Sequence, residues 1–102
     1  MAFEIASRIV SGTKAVTAAG TAEKIVADST GCFLVMLSAE QNNAKPIVVG
    51  DADIVAAAGS QRGVVLMPGN PPVAFYVRDV SSIYVDSQTN NDAVAFVYFA
   101  TA

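Results

Sequence analysis

Apolar and polar positions alternate in short runs along this chain, and each run stops at a turn signal. In residues 3–10, Phe3, Ile5 and Ile9 alternate with Glu4 and Arg8, and Ser11-Gly12 closes the run. A period of two is the spacing of a strand with one covered face. Residues 16–17 are a weak strand candidate ending at Gly20, and residues 21–27 carry Ile25 and Val26 before Asp28-Ser29-Thr30-Gly31. Cys32–Ala39 breaks the alternation by being apolar on both faces, which predicts a central strand between two layers. After the polar turn Glu40-Gln41-Asn42-Asn43, residues 46–50 begin with Pro46, at the one strand position where a missing N–H is tolerated. Residues 63–67 stop at Pro68-Gly69, residues 73–78 start from Pro71-Pro72, and residues 82–87 follow. Residues 93–99 close the series after Thr89-Asn90-Asn91-Asp92. The alanine-rich stretch 52–58 lies between Gly50 and Gly59 and is too short for a helix to stand alone, so it is read as strand or loop connection.

Seven to nine short strands at this spacing predict an all-β chain, a single small antiparallel β-sandwich or barrel-like domain. Residues 1–12 are read as an N-terminal strand or arm and residues 13–102 as the sandwich. Composition agrees: fifteen valines and six isoleucines stand against three leucines, and branching at Cβ suits a pleated surface. The final run is apolar on both faces, with Val94, Phe96 and Tyr98 on one and Ala95, Val97 and Phe99 on the other. On an edge such a strand would invite aggregation, so either the chain covers both faces or a neighbouring subunit covers one. Val94, Phe96, Val97, Tyr98 and Phe99 are therefore the candidate subunit interface. Charged residues make up only 15% of the 102 positions, against about 25% in ordinary globular domains. A small domain has more surface per residue and needs more charge, so the shortfall points to surface that lies against another protein.

The same composition narrows the chemistry. There is no His and no Trp, and Cys32 is the lone cysteine, which excludes Ser-His-Asp and Cys-His nucleophiles and the usual zinc sites within the chain. Cys32 stands in Cys-Phe-Leu-Val-Met-Leu and is expected to be a buried small apolar residue rather than a reactive thiol. The net charge of −3 and six scattered basic residues argue against nucleic acid. No signal peptide and no bilayer-spanning run is expected. Asp51-Ala52-Asp53 could place two carboxylates on one side of a strand, but no further acid stands at metal-ligand spacing, and a solvated loop is expected. Tyr76, Tyr84 and Tyr98 each fit strand alternation, with sugar stacking as the alternative. No catalytic residue, cofactor site or metal site is assigned, and no enzymatic activity is expected.

The order of short motifs carries a more specific likeness. Pro46-Ile47-Val48-Val49-Gly50 is followed by a loop, then by Leu66-Met67-Pro68-Gly69, then by Ile83-Tyr84-Val85, and the chain closes with Val94-Ala95-Phe96-Val97-Tyr98. This arrangement, over residues 14–99, resembles the small β-sandwich virion proteins of tailed bacteriophages, which include capsid decoration (cement) proteins and head fibres. Asp51 departs from the small residue that often follows Val-Gly, and residues 3–10 fall outside the pattern. The resemblance implies a structural virion protein, made in the host cytoplasm and placed on the capsid surface. It would be a homotrimer that docks on the major capsid protein and stabilises the head, with no nucleic-acid or membrane partner. Phe3, Ile5, Arg8 and Ile9 are then the candidate shell contact. Two alternatives remain open at this point. One is a glycan- or receptor-binding module of a phage fibre or tail, using Tyr76, Tyr84 or the loop 51–62. The other is a bacterial polysaccharide-binding or pilus-like subunit.

Overall fold

The computed structural model describes residues 8–101. They form eight strands: β1 (Arg8–Ala15), β2 (Glu23–Lys24), β3 (Cys32–Ala39), β4 (Ile47–Gly50), β5 (Val64–Leu66), β6 (Val73–Phe75), β7 (Tyr84–Ser87) and β8 (Ala93–Ala100). A short 3₁₀ turn, Val80–Ser82, precedes β7. The strands make two antiparallel four-stranded sheets, ordered β1-β8-β3-β6 and β2-β7-β4-β5. The all-β expectation holds.

The sheets enclose one core. Val35, Leu37, Val94, Phe96 and Tyr98 enter it from the first sheet, and Ile47, Val49, Leu66 and Val85 from the second. Val16, Ile25, Val80 and Ile83 close it from the connections. A core this rich in valine is thin, and the aromatic pair Phe96–Tyr98, with ring centroids 6.3 Å apart, supplies much of its volume.

Several strand boundaries differ from those read in the sequence, each for a local reason. The first strand, β1, continues past residue 10 to Ala15, and residues 3–7 of the expected run 3–10 lie outside the described residues. Ser11-Gly12 does not end it. Gly12 pairs with Phe96, and a Cβ at Gly12 would stand 2.8 Å from Cζ of that ring. The glycine is a packing requirement, not a turn. The strand expected over 21–27 shrinks to Glu23–Lys24, because Glu23 is held by the preceding turn: its carboxylate accepts from the Thr17 and Ala18 amides at 3.1 and 2.9 Å and pairs with Lys14 at 2.8 Å. The run 63–67 narrows to Val64–Leu66 between Gly63 and Met67. The run 73–78 pairs only as far as Phe75, and the run 82–87 opens with the 3₁₀ turn, because Asp79 redirects the chain between them. Its carboxylate accepts from the amides of Thr30 and Ser81 and from the hydroxyls of Ser29 and Ser81.

The stretch 52–58 is a loop. It turns back through a bridge in which Val55 and Arg62 exchange both backbone hydrogen bonds, at 3.0 and 2.9 Å. Ile54 and Ala56 thereby pack with Val48 and the half-buried Tyr84 and Ala22 on the outer side of the second sheet. This roof depends on close backbone approach. Gly63 has φ +124°, and a Cβ there would meet the Val49 carbonyl oxygen at 2.8 Å and Ile54 Cγ2 at 2.9 Å. Gly59 also has positive φ but faces open space.

Gly63→Ala is expected to lower stability by about 2 kcal/mol or more, and Gly59→Ala by about 1 kcal/mol. In thermal unfolding the first should shift Tm at least twice as far as the second, and equal shifts would remove the roof's dependence on close approach. A second expectation concerns acid. Burial opposes the charge of Glu23, but hydrogen bonds from Lys14, the Ala18 amide and Thr17, together with the charge of Lys14, outweigh it and hold the carboxyl at about 2, below its usual 4.5. Since the folded value lies below the unfolded one, this contribution is complete above about pH 4.5 and is lost as the pH falls towards 2. Glu23→Gln should therefore make the loss of Tm between pH 4.5 and 2 shallower than in the native chain. An unchanged slope would assign the acid sensitivity elsewhere.

Candidate functional site

The surface that stands out is the outer side of the first sheet. Its geometry follows from β8, which lies between β1 and β3, with Lys14 opposite Val94, Gly12 opposite Phe96 and Val10 opposite Tyr98. Because side chains alternate across a strand, the even-numbered residues of β8 point into the core and the odd-numbered ones point out. Ala95, Val97 and Phe99 are accordingly half-buried, each flanked on β1 by the exposed Thr13, Ser11 and Ile9. On the other side of β8, a register shift between Cys32 and Leu34 sets Leu34 beside Phe99 and Met36 beside Val97, while Ser38 lies beside Ala95. The shift leaves Phe33 next to Phe99, ring centroids 6.4 Å apart. Ala74 of β6 completes the face opposite Met36.

Two properties define this face. No outward position of its strands carries a charge: apolar side chains gather towards the Ile9–Phe99–Leu34 end, and the hydroxyls of Ser11, Thr13 and Ser38 lie towards the other. It also contains a shallow depression of about 520 Å³, where Ser11, Thr13, Ser38 and Ala95 are small and Met36, Val97 and Pro72 rise around them. The opposite sheet differs. Its outer side is covered by Ile54 and Ala56, and by the turn at Gly20, whose amide donates to the buried Asp86 at 3.0 Å. Among the described residues, no segment covers the first sheet in the same way.

The residues singled out in the sequence divide accordingly. Val94, Phe96 and Tyr98 are buried in the core of their own chain and are not available to a partner, whereas Val97 and Phe99 lie on the outward face. Of the candidate shell contacts, Ile9 is 65% exposed beside Phe99, and Arg8 is exposed at the start of β1. Phe3 and Ile5 lie outside the described residues. β8 is an interior strand rather than an edge, and this removes the reason to assign all of its apolar residues to a subunit contact. Leu34, Met36, Ser11, Thr13 and Ser38 escaped sequence reasoning. Cys32–Ala39 looks two-faced in the sequence, and only its pairing shows that the Met36 side is the outer one.

The other candidates are structural. The Asp51 carboxylate accepts from the Asp53 amide at 3.0 Å, an Asx turn that opens the roof loop. Among the described residues, no three His, Cys, Asp or Glu side chains cluster as a metal site. Tyr76 is 83% exposed beyond β6, Tyr84 lies under the roof loop and Tyr98 is in the core, so the three tyrosines form no shared platform. Cys32 is buried, its thiol donates to the Val77 carbonyl at 3.2 Å, and burial and the nearby charge of Asp79 push its pKa up. Asp92 is buried for a scaffolding reason: it accepts from the amides of Ala44 and Lys45 at 2.9 Å and from the Ser87 hydroxyl at 3.1 Å.

One substitution made on each side of β8 tests this division. Val94→Thr buries a hydroxyl in the core and should cost about 2 kcal/mol, while Val97→Thr on the outer face should cost less than about 1 kcal/mol. Denaturant unfolding reads both, and equal losses would mean that the outer face is covered within the single chain. No family model matches the chain, and neither a curated protein nor a solved structure does.

Proposed function

We propose that this chain is a structural protein that acts by packing against other proteins, a capsid decoration protein whose β1-β8-β3 face docks on the major capsid protein of a phage head. The observation that carries the packing role is the uncharged outer face of the first sheet, which no segment among the described residues covers while residues 51–62 roof the other sheet. An uncharged face can be desolvated without stranding a charge, and large exposed patches of this kind mark interaction sites. The virion setting rests on the motif resemblance over residues 14–99. The mechanism is mechanical: each docked copy buries surface across a junction between shell subunits and so opposes its opening, and many copies add together.

Size sets the strength of one such contact. The three long strands β1, β8 and β3, about 4.8 Å apart and about 27 Å long, span roughly 400 Å². A stable interface buries about 800 Å² per partner, so a single face makes a weak contact and depends on repetition.

Binding to DNA-free heads of the phage that encodes the chain tests the proposal. The native protein should co-sediment with the heads, Met36→Asp and Val97→Asp should reduce the bound fraction at least tenfold, and Asp53→Asn on the roof loop should leave it unchanged. Failure of the native chain to bind, or equal binding by all three variants, would overturn it.

A further inference from the structure

We propose that two copies of this chain join edge to edge through β1, across a two-fold axis, to form one continuous eight-stranded sheet. This proposal does not depend on the virion setting.

It begins with the direction of backbone hydrogen bonds. The Ala93 amide donates to Asn43 Oδ1 at 2.8 Å, and its carbonyl accepts from Asn43 Nδ2 and the Glu40 amide at 2.7 and 3.1 Å. Both backbone groups of Ala93 thus point to the β3 side. In an antiparallel sheet, successive residues aim their N–H and C=O groups to alternate sides. Val94, Phe96 and Tyr98 therefore face β1, where Lys14, Gly12 and Val10 stand opposite them. The Val16 amide, which donates to the Asp92 carbonyl at 2.8 Å, extends the same parity. It follows that Ile9, Ser11, Thr13 and Ala15 turn both their N–H and their C=O towards the open edge.

Among the described residues, this edge lacks the protections that the other three possess. β2 has two residues, β5 has three and is followed by Met67-Pro68, and β6 has three and is preceded by Pro71-Pro72. Short strands and flanking prolines discourage further pairing. β1 has eight residues in unbroken register with β8, no proline, and no charge at its four outward positions. An edge of that length finds no match on β6 at the far side of its own sheet, so a head-to-tail array cannot use it fully. A second β1 matches it completely.

Parity and charge select the register. Paired residues must lie on the same face, so odd positions oppose odd positions. With Gly12 opposite the partner's Gly12, Ile9 meets the partner's Ala15 and Ser11 meets the partner's Thr13, and every edge-facing group finds a partner. A shift that sets Ser11 opposite the partner's Ser11 brings Arg8 against the partner's Lys14 and moves the pairing of Ala15 beyond the described residues. The favoured register also places the two bare faces side by side on one sheet. Their combined span of roughly 800 Å² then reaches the size that a stable contact requires.

Sedimentation equilibrium of the native chain should give a mass of about 21 kDa, twice the 10.5 kDa of one chain. A mass of one chain at concentrations up to about 0.5 mM, or of three chains, would overturn the two-fold pair. The double variants Ser11→Glu/Thr13→Glu and Ser11→Lys/Thr13→Lys oppose like charges across the axis and should each be monomeric, with circular dichroism confirming the fold. Mixed in equal amounts they should restore the double mass, and a dimeric acidic variant or a mixture that stays monomeric would refute the register. Amide exchange gives an independent reading on the unaltered chain. Ser11 and Thr13 should be protected at high concentration and become at least tenfold faster on dilution, whereas concentration-independent exchange at these amides would count against the pairing.

Discussion

The structure depends on the double pairing of β8. Its antiparallel registers with β1 and β3 fix the side to which every neighbouring side chain points, and this places Phe96 and Tyr98 in a core otherwise built mainly from valines. A core with more valine than leucine and isoleucine together has little volume to spare. Leu37 is the only leucine among its largest fully buried side chains, so the two aromatic rings supply bulk that valines cannot. Gly12 shows how tight the arrangement is, because the Phe96 ring lies over the space that any larger residue would need. A one-residue slip of β8 would bring Ala95, Val97 and Phe99 inside and expose Phe96 and Tyr98, which no alternative covering could offset.

That constraint also makes the two sheets unequal. The second sheet has an outward Val48 and an inaccessible Asp86, and the chain invests the loop 51–62 and the turn at Gly20 in covering them. Among the described residues, the outer side of the first sheet receives no such cover, although Phe99, Val97, Met36 and Leu34 are as apolar as anything the loop shields. Elsewhere the acids work within the scaffold: Asp79 caps the 3₁₀ turn, Asp92 fixes the turn before β4, and Glu23 holds the turn between β1 and β2. These acids are committed to local geometry, and the low charge of the composition becomes a property of one particular face.

Much of this was legible in the sequence. The two-sheet class followed from short β-branched runs with turn signals between them, and Cys32–Ala39 and the start of the last strand were placed correctly because their boundaries are marked by Gly31 and by Asn91-Asp92. What failed was the reading of glycine and of two-faced strands. Gly12 resembles a terminator in sequence, and only the ring opposite it shows otherwise. Likewise, β8 resembles an edge seeking a partner, since nothing local reveals that β1 returns to lie beside it. Pairing between strands some eighty residues apart sets the strand order, and alternation within a single run carries no information about it. The candidate face is therefore half legible: the sequence singles out Val97, Phe99 and Ile9, and the β3 side chains beside them emerge only from the pairing.

The proposed edge pairing and the proposed face docking would reinforce one another energetically. Each backbone hydrogen bond formed at the β1 edge replaces bonds to water and contributes a net ~0.5–1.5 kcal/mol. The loss of free translation and rotation on association costs ~4–15 kcal/mol, so the edge bonds alone leave a weak pair. Side chains along the paired edges, Ile9 against the partner's Ala15 among them, would have to supply the remainder. A weak pair is nevertheless effective on a repeating surface. Once one face of the pair docks, the second is held at a high effective concentration over the next equivalent site, and avidity can exceed either single contact by ~10²–10⁴. Conversely, two neighbouring docked copies would bring their β1 edges together and meet part of the association cost in advance. On this proposal the β1 edge and the outer face form a coupled pair of surfaces, each weak alone and each strengthened by an ordered array beneath it.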